Sequence, residues 1–192
     1  IISWEGKLRP SLEDTGIYPR VENGELPIWI ATGGTPESSL RAGAFGLPIT
    51  YAIIGGNPRR FARNIEIYKS IALSYGHDPS KLPIGVHSWG YVAETDEQAK
   101  REFFPSLKAH QDIIGKERGW PAFDENAFER EIGSHGAIYL GSPETVAQKI
   151  IDTIETLGIN RFMIHTPVGS MPHEYVMNSI RLFGERVKPI VD

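Results

Sequence analysis

The sequence predicts an α/β fold of about four parallel strands with helices packed outside them, and three observations predict it. Short apolar runs alternate with longer segments whose apolar residues recur every three to four positions. The order strand–helix repeats four times, and parallel neighbours need crossover helices to join them. Three helix starts are also punctuated, at Thr35-Pro36-Glu37, Thr95-Asp96-Glu97-Gln98 and Ser142-Pro143-Glu144-Thr145. At 192 residues the chain can bury a real core, and 1–192 reads as a single domain.

Residues 1–25 are polar, rich in Gly and Pro and without period, which predicts an extended lead-in holding at most one short strand. The first core strand lies near 27–32, around Ile28-Trp29-Ile30, and a short helix spans 36–45. The second strand, 48–54, is β-branched and nearly all apolar, as a strand covered on both faces should be. Gly55-Gly56-Asn57-Pro58 breaks it. A long helix then runs to about Tyr75, with Phe61, Ile65, Tyr68 and Ala72 on one face. The third strand occupies 83–92. The capping box at Thr95–Gln98 opens a helix carrying Ala99, Phe103 and Leu107. Residues 115–135 read as a surface excursion with a short helix at 125–132. Ser142 starts a helix with Val146, Ile150, Ile154 and Leu157 inward. The fourth strand is 161–166, and a last helix over 172–190 turns Val176, Ile180, Phe183 and Val187 to the core.

The junction after the first strand carries the most chemistry. Gly33-Gly34-Thr35-Pro36-Glu37-Ser38 is a Gly-rich turn feeding a helix start, with Thr35 at the N-cap and Pro36 at the first helical position. Unpaired first-turn N–H groups and two hydroxyls at one point make an anion site, most commonly for phosphate. The plainer alternative is an ordinary capped connection. The pattern Gly-[Ser/Thr]-Pro-Glu-[Ser/Thr] recurs at Gly141–Thr145. Shared helix-start chemistry explains the repeat more cheaply than a second ligand site.

Composition excludes several classes. The net charge is −4 and no basic block stands out, which argues against a nucleic-acid partner. With no cysteine there are no disulfides, no thiolate catalysis and no Cys-ligated metals. No apolar run reaches membrane-span length, so no membrane partner is expected. No signal peptide is visible and the expected location is cytoplasmic. The chain opens on Ile1-Ile2-Ser3-Trp4 without Met, so residues upstream are expected. No histidine pair has metal-ligand spacing and no Ser stands in GxSxG, so neither a metal site nor a hydrolase is predicted.

An ordered set of motifs resembles the bacterial luciferase-like flavin monooxygenases. It comprises Gly33 to Pro48 (GGTPESSLRAGAFGLP), Ala52-Ile53-Ile54-Gly55-Gly56, Tyr75-Gly76-His77-Asp78, Gly141 to Val146, Gly158 to Phe162, Ser179 to Phe183 and Val187-Lys188-Pro189. The resemblance runs from about Trp4 to the end and covers the C-terminal half of such proteins. It implies the C-terminal half of a (β/α)8 TIM-type barrel, since a full barrel needs about 250 residues. It implies reduced FMN as cofactor, or a deazaflavin in one branch, acting with O2 on a small organic substrate. Carried over by position, the flavin phosphate falls on Gly33, Gly34, Thr35 and Ser38. The ring falls on the strand holding Ala52 and Ile54, where plain barrel core is the alternative reading. Bacterial luciferase has an acidic residue where Gly34 stands, so side-chain contacts there do not transfer.

No catalytic residue is assigned by the motifs. His87 and His165 are the candidates, because polar groups near the C-terminal ends of barrel strands face the active site. The more economical reading of each is a hydrogen-bonded barrel histidine. His77 and His173 are expected to be solvated, and His110 to lie on a helix face. The expected assembly is a homo-oligomer or a pairing with the N-terminal half of the same barrel, and the fragment alone is expected to be inactive. The competing function class is a non-catalytic half-barrel that binds a ligand or another chain.

Overall fold

The computed structural model describes residues 1–192 apart from 23 and 25, so that part of the expected lead-in lies outside the described residues. The rest of the lead-in departs from expectation. It forms a two-stranded antiparallel ribbon, β1 (Ile2–Trp4) and β2 (Leu12–Thr15), separate from the main sheet. These strands are short and largely exposed, so they carry none of the alternation that marks a half-buried strand.

The main sheet is parallel. β3 (Ile30–Thr32) pairs with β4 (Ile49–Ala52), and β4 pairs with β5 (Ile84–Val92). β5 is the longest strand and the centre of the sheet. β7 (Arg161–His165) also pairs with it, along Gly85–Trp89. A fifth strand, β6 (Tyr139–Gly141), pairs with the C-terminal end of β5 and was not expected. It is three residues long inside an aperiodic stretch, too short for a pattern to register. The four expected strands are all present.

The helices are α1 (Pro36–Phe45), α2 (Ala62–Ser74, entered through a 3₁₀ turn at Pro58–Phe61), α3 (Asp96–Arg118), α4 (Glu125–Ile132), α5 (Pro143–Leu157), α6 (His173–Leu182) and α7 (Lys188–Val191). α1, α2, α5 and α6 pack on one face of the sheet, and α3 and α4 close over the other face at the C-terminal end of β5. Ile49, Tyr51 and Ile53 of the second strand region lie against Ala42 of α1, Phe61, and Ile65 and Tyr68 of α2. Tyr91 and Leu140 join Ala99, Phe103 and Leu107 of α3 and Phe128 of α4. Val92 and Tyr139 pack on Val146 and Ile150 of α5, and on Leu182 and Val187.

The last helix corrects its expected face. A π-helical turn over Phe183–Val187 joins α6 to α7. The wider turn shifts the helical phase, because i→i+5 bonding adds a residue per turn. Ser179, Leu182 and Val187 are therefore buried, while Ile180, expected inward, is about half exposed (52%).

Candidate functional site

In a parallel array every βα loop leaves the sheet at the same end, where α/β barrels carry their chemistry. The loop from β3 to α1 and the turn after β4 are therefore neighbours. Gly33, Gly34, Arg60, Phe61 and Asn64 line one open depression there.

Gly34 sits at φ +106°, a region that side chains disfavour, and a Cβ there would lie 2.6 Å from the Phe61 ring. Its N–H donates to the Thr32 hydroxyl (3.1 Å) and its carbonyl accepts from Asn64 Nδ2 (2.6 Å). Gly34 is thus a shape residue; its amide is turned into the protein. Gly33 faces open space. Thr35 has the extended backbone of an N-cap, but its side chain makes no capping bond. Its Oγ1 pairs instead with Ser38 Oγ at 2.8 Å, on the exposed side of α1. Two hydroxyls joined by one hydrogen bond leave one O–H to offer outward. Glu37, also in this first turn, is exposed.

Sequence reasoning missed Arg60 and Asn64. Arg60 donates one guanidinium N–H to the Gly55 carbonyl (2.9 Å) and lies 5.3 Å from the centre of the Phe61 ring. Further N–H donors remain on the same group. The available signal was positional: both residues follow the Gly55–Pro58 break, next in the sheet to the Gly33–Gly34 loop.

The second Gly-Ser-Pro-Glu-Thr loop is filled from within. Asp96, at the start of α3, accepts from Ser142 N–H (2.6 Å) and from Thr145 Oγ1 (3.1 Å). Burial acts to raise the Asp96 carboxyl. The hydrogen bonds from Ser142 and Thr145, helped by the charge of Lys100, outweigh it and hold the carboxyl below its ordinary range. A carboxylate of the protein itself occupies the N-terminus of α5.

The face of the sheet opposite α1 and α2 holds the histidines, with α3 closing over its C-terminal end. Along β4, Ile49 and Tyr51 are buried under helices while Thr50 and Ala52 are half-buried on the opposite face. Ala52 stands beside His87 in the β4–β5 register. His87 and Trp89 of β5 lie beside Met163 and His165 of β7. His165 Nδ1 is 3.3 Å from His87 Nε2. Burial, and then the neighbouring His165, push the His87 imidazole below its ordinary value. Ile54, the other expected ring contact, follows the end of β4 and is exposed.

His77 is not simply solvated as expected: its Nε2 lies 3.1 Å from the Ala44 carbonyl, tying the end of α2 to α1. His110 lies on α3 with its ring edge toward Trp89, 5.7 Å between centres. Among the described residues no group of three or more His, Asp or Glu could hold a metal ion. No helix among them is long and apolar enough to cross a membrane.

On the outer layer, Lys149 of α5 donates to the carbonyls of Ile132, Gly133 and Ile138 at 2.6–3.0 Å. Burial lowers its pKa to about 8. Glu131 accepts from the amides of Gly56 and Ala137 nearby. This polar cluster staples the segment before β6 to α5 and to the turn after β4.

A parallel sheet with helices outside it and an open βα loop at its C-terminal end define an α/β architecture of the barrel type. A sequence model of the luciferase-like monooxygenases matches residues 1–161, and the chain belongs to that family. The alkanal monooxygenase alpha chain of Aliivibrio fischeri is 24% identical over 200 residues, spanning 91% of this chain and 54% of that protein. Three solved structures share the fold. Monooxygenase RslO1 from Streptomyces bottropensis superposes with a TM-score of 0.76 at 23% identity, over 98% of this chain and 55% of that one. The oxygenating constituent of 3,6-diketocamphane monooxygenase from Pseudomonas putida, solved with FMN, gives 0.64 at 20% identity, over 84% and 47%. An F420-dependent secondary alcohol dehydrogenase gives 0.65 at 17% identity, over 100% and 56%. The chain spans about half the length of the relatives it matches.

Proposed function

We propose that this chain is the C-terminal half of a flavin-dependent monooxygenase that uses reduced FMN and O2 on a small organic substrate. The observation that carries the reading is the contrast between the two helix starts. The N-terminus of α5 is neutralised by Asp96, whereas at α1, among the described residues, no carboxylate from elsewhere in the chain is hydrogen-bonded to the loop. The α1 loop offers instead the exposed Thr35–Ser38 hydroxyl pair, and the adjoining Gly33–Gly34 turn opens on a depression bordered by the Arg60 guanidinium. That donor set fits a phosphate.

In this reading Gly33, Thr35 and Ser38 hold the flavin phosphate, Gly34 shapes the loop with its own amide turned inward, and Ala52 seats the ring. When bound, the flavin supplies the redox chemistry. The protein's part is to bind, orient and keep water away. Ala52 is small and lies on the face opposite α1 and α2, between Thr50 and the exposed Ile54. The same face, with Trp89 and Met163 half-buried on it, is completed by the N-terminal half of the barrel, which also pairs the outer strands β3 and β7.

Titration of FMN and of coenzyme F420 against the assembled barrel, followed by fluorescence, tests the reading. FMN is expected to saturate a single site. Saturation by F420 alone moves the protein to the deazaflavin branch. Saturation by neither contradicts the reading and leaves a non-catalytic binding module.

A further inference from the structure

Two imidazole nitrogens 3.3 Å apart attract only if one carries a proton and the other a lone pair. His87 Nε2 and His165 Nδ1 are therefore coupled: the protonation of one fixes the tautomer of the other. Their rings meet edge to face, with centres 5.3 Å apart. The Trp89 ring lies 4.4 Å from the His165 ring, centre to centre.

The other charged and titratable groups on this side are few. His110 of α3 lies beyond Trp89. Arg161, at the opposite end of β7, holds its guanidinium over the Trp29 ring at 4.8 Å. Among the described residues no carboxylate is hydrogen-bonded to either histidine. The pair must therefore manage its charge alone, and two imidazolium rings at this distance repel each other.

We propose that His87 and His165 form a proton-sharing dyad in which His87 exchanges a proton with the reactant bound beside Ala52 and His165 resupplies it. The proposal rests on the flavin reading only in placing the reactant at Ala52. The singly protonated pair carries the proton on His165, with His165 Nδ1–H donating to His87 Nε2 and His87 holding its own proton on Nδ1. When a substrate oxygen gains negative charge, the His87 Nδ1–H bond breaks and an O–H bond forms. The His165 Nδ1 proton moves to His87 Nε2. The pair passes from one positive charge to none as the oxygen passes from anion to neutral, and water restores the proton. His87 is the catalytic residue, and His165 the positioning residue that acts through it.

The direct test is ¹⁵N-edited NMR of the histidine rings in the purified protein, without cofactor, across pH 4.5–9. Coupling predicts that the two rings titrate in two linked steps separated by more than about one pH unit. His165→Gln should move the His87 midpoint upward, because it removes a like charge. In the flavin-loaded enzyme, His87→Gln should lower kcat by about 100-fold or more while leaving FMN affinity within about two-fold. His165→Gln should lower kcat less and shift the pH at which it falls. Independent single-step titration of the two rings overturns the dyad, as does an unchanged kcat and pH profile in His87→Gln. Failure of the wild type to bind any flavin would instead overturn the cofactor reading, and the cofactor-free NMR result would still decide the dyad.

Discussion

Two loops of this molecule share the pattern Gly-[Ser/Thr]-Pro-Glu-[Ser/Thr], and the structure treats them in opposite ways. At Gly141–Thr145 the Asp96 carboxylate reaches across from α3 and takes the Ser142 amide and the Thr145 hydroxyl. At Gly34–Ser38 the two hydroxyls are left to each other on an exposed surface, and Arg60 borders the Gly33–Gly34 turn before them. A helix N-terminus carries about half a positive charge wherever it occurs. What separates a structural cap from a ligand site is whether the protein supplies its own anion. The motif alone is silent on that, because Asp96 is remote in sequence from one loop and has no counterpart at the other.

The glycines should separate the loops most sharply. Both have positive φ and no room for a Cβ, which would lie 2.6 Å from the Phe61 ring at Gly34 and 2.5 Å from Asp96 Oδ1 at Gly141. Each alanine substitution should cost about 1–3 kcal/mol in strain. For Gly141→Ala that cost should appear as lost stability in urea, with FMN affinity unchanged. For Gly34→Ala the loop can relieve strain by moving, so the loss should include FMN affinity, by roughly 10- to 100-fold. Equal effects of the two on FMN binding would break the comparison.

Asp96→Asn should be smaller. It keeps an acceptor but removes the charge, and the group is partly exposed, so the expected loss is about 1 kcal/mol. The pH dependence has a definite sign. The folded-state carboxyl sits below its ordinary value, so its contribution is complete above about pH 4. It is lost as pH falls through the folded value. Urea midpoints of the wild type and Asp96→Asn should therefore converge in acid and separate toward neutral pH. Ser142→Ala should be smaller still, about 0.5–1 kcal/mol, since its Oγ takes the Thr145 N–H at a long 3.3 Å.

The contrast also marks what the sequence could show. α1 at 36–45 and α4 at 125–132 were legible because their ends are marked locally, α1 by Pro36 and the left-handed Gly46, α4 by the Asp124 cap and Gly133. The face of the last helix was not, because the π turn at Phe183–Val187 leaves no signature in apolar spacing. The short strand β6 exists only through its pairing with β5. At the site, Gly33, Gly34, Thr35 and Ser38 were visible as a local pattern. Arg60 and Asn64 reach the loop from α2 and its entry turn, and only the stacking of neighbouring βα loops brings them there. His87 and His165 could each be placed near a strand end. Their contact depends on the β5–β7 register, which sequence does not specify for two flanking parallel strands.

The central claim is that the open loop binds the flavin through its phosphate. Affinities of FMN and riboflavin for the wild type and for Ser38→Ala, measured side by side in the assembled barrel, test it most directly. A charge-assisted hydrogen bond is worth on the order of 1.5–3 kcal/mol, so Ser38→Ala should weaken FMN binding by about ten-fold or more. Riboflavin, which has no phosphate, should bind both proteins alike. Equal losses for the two flavins, or none for either, would contradict the account and place the phosphate elsewhere.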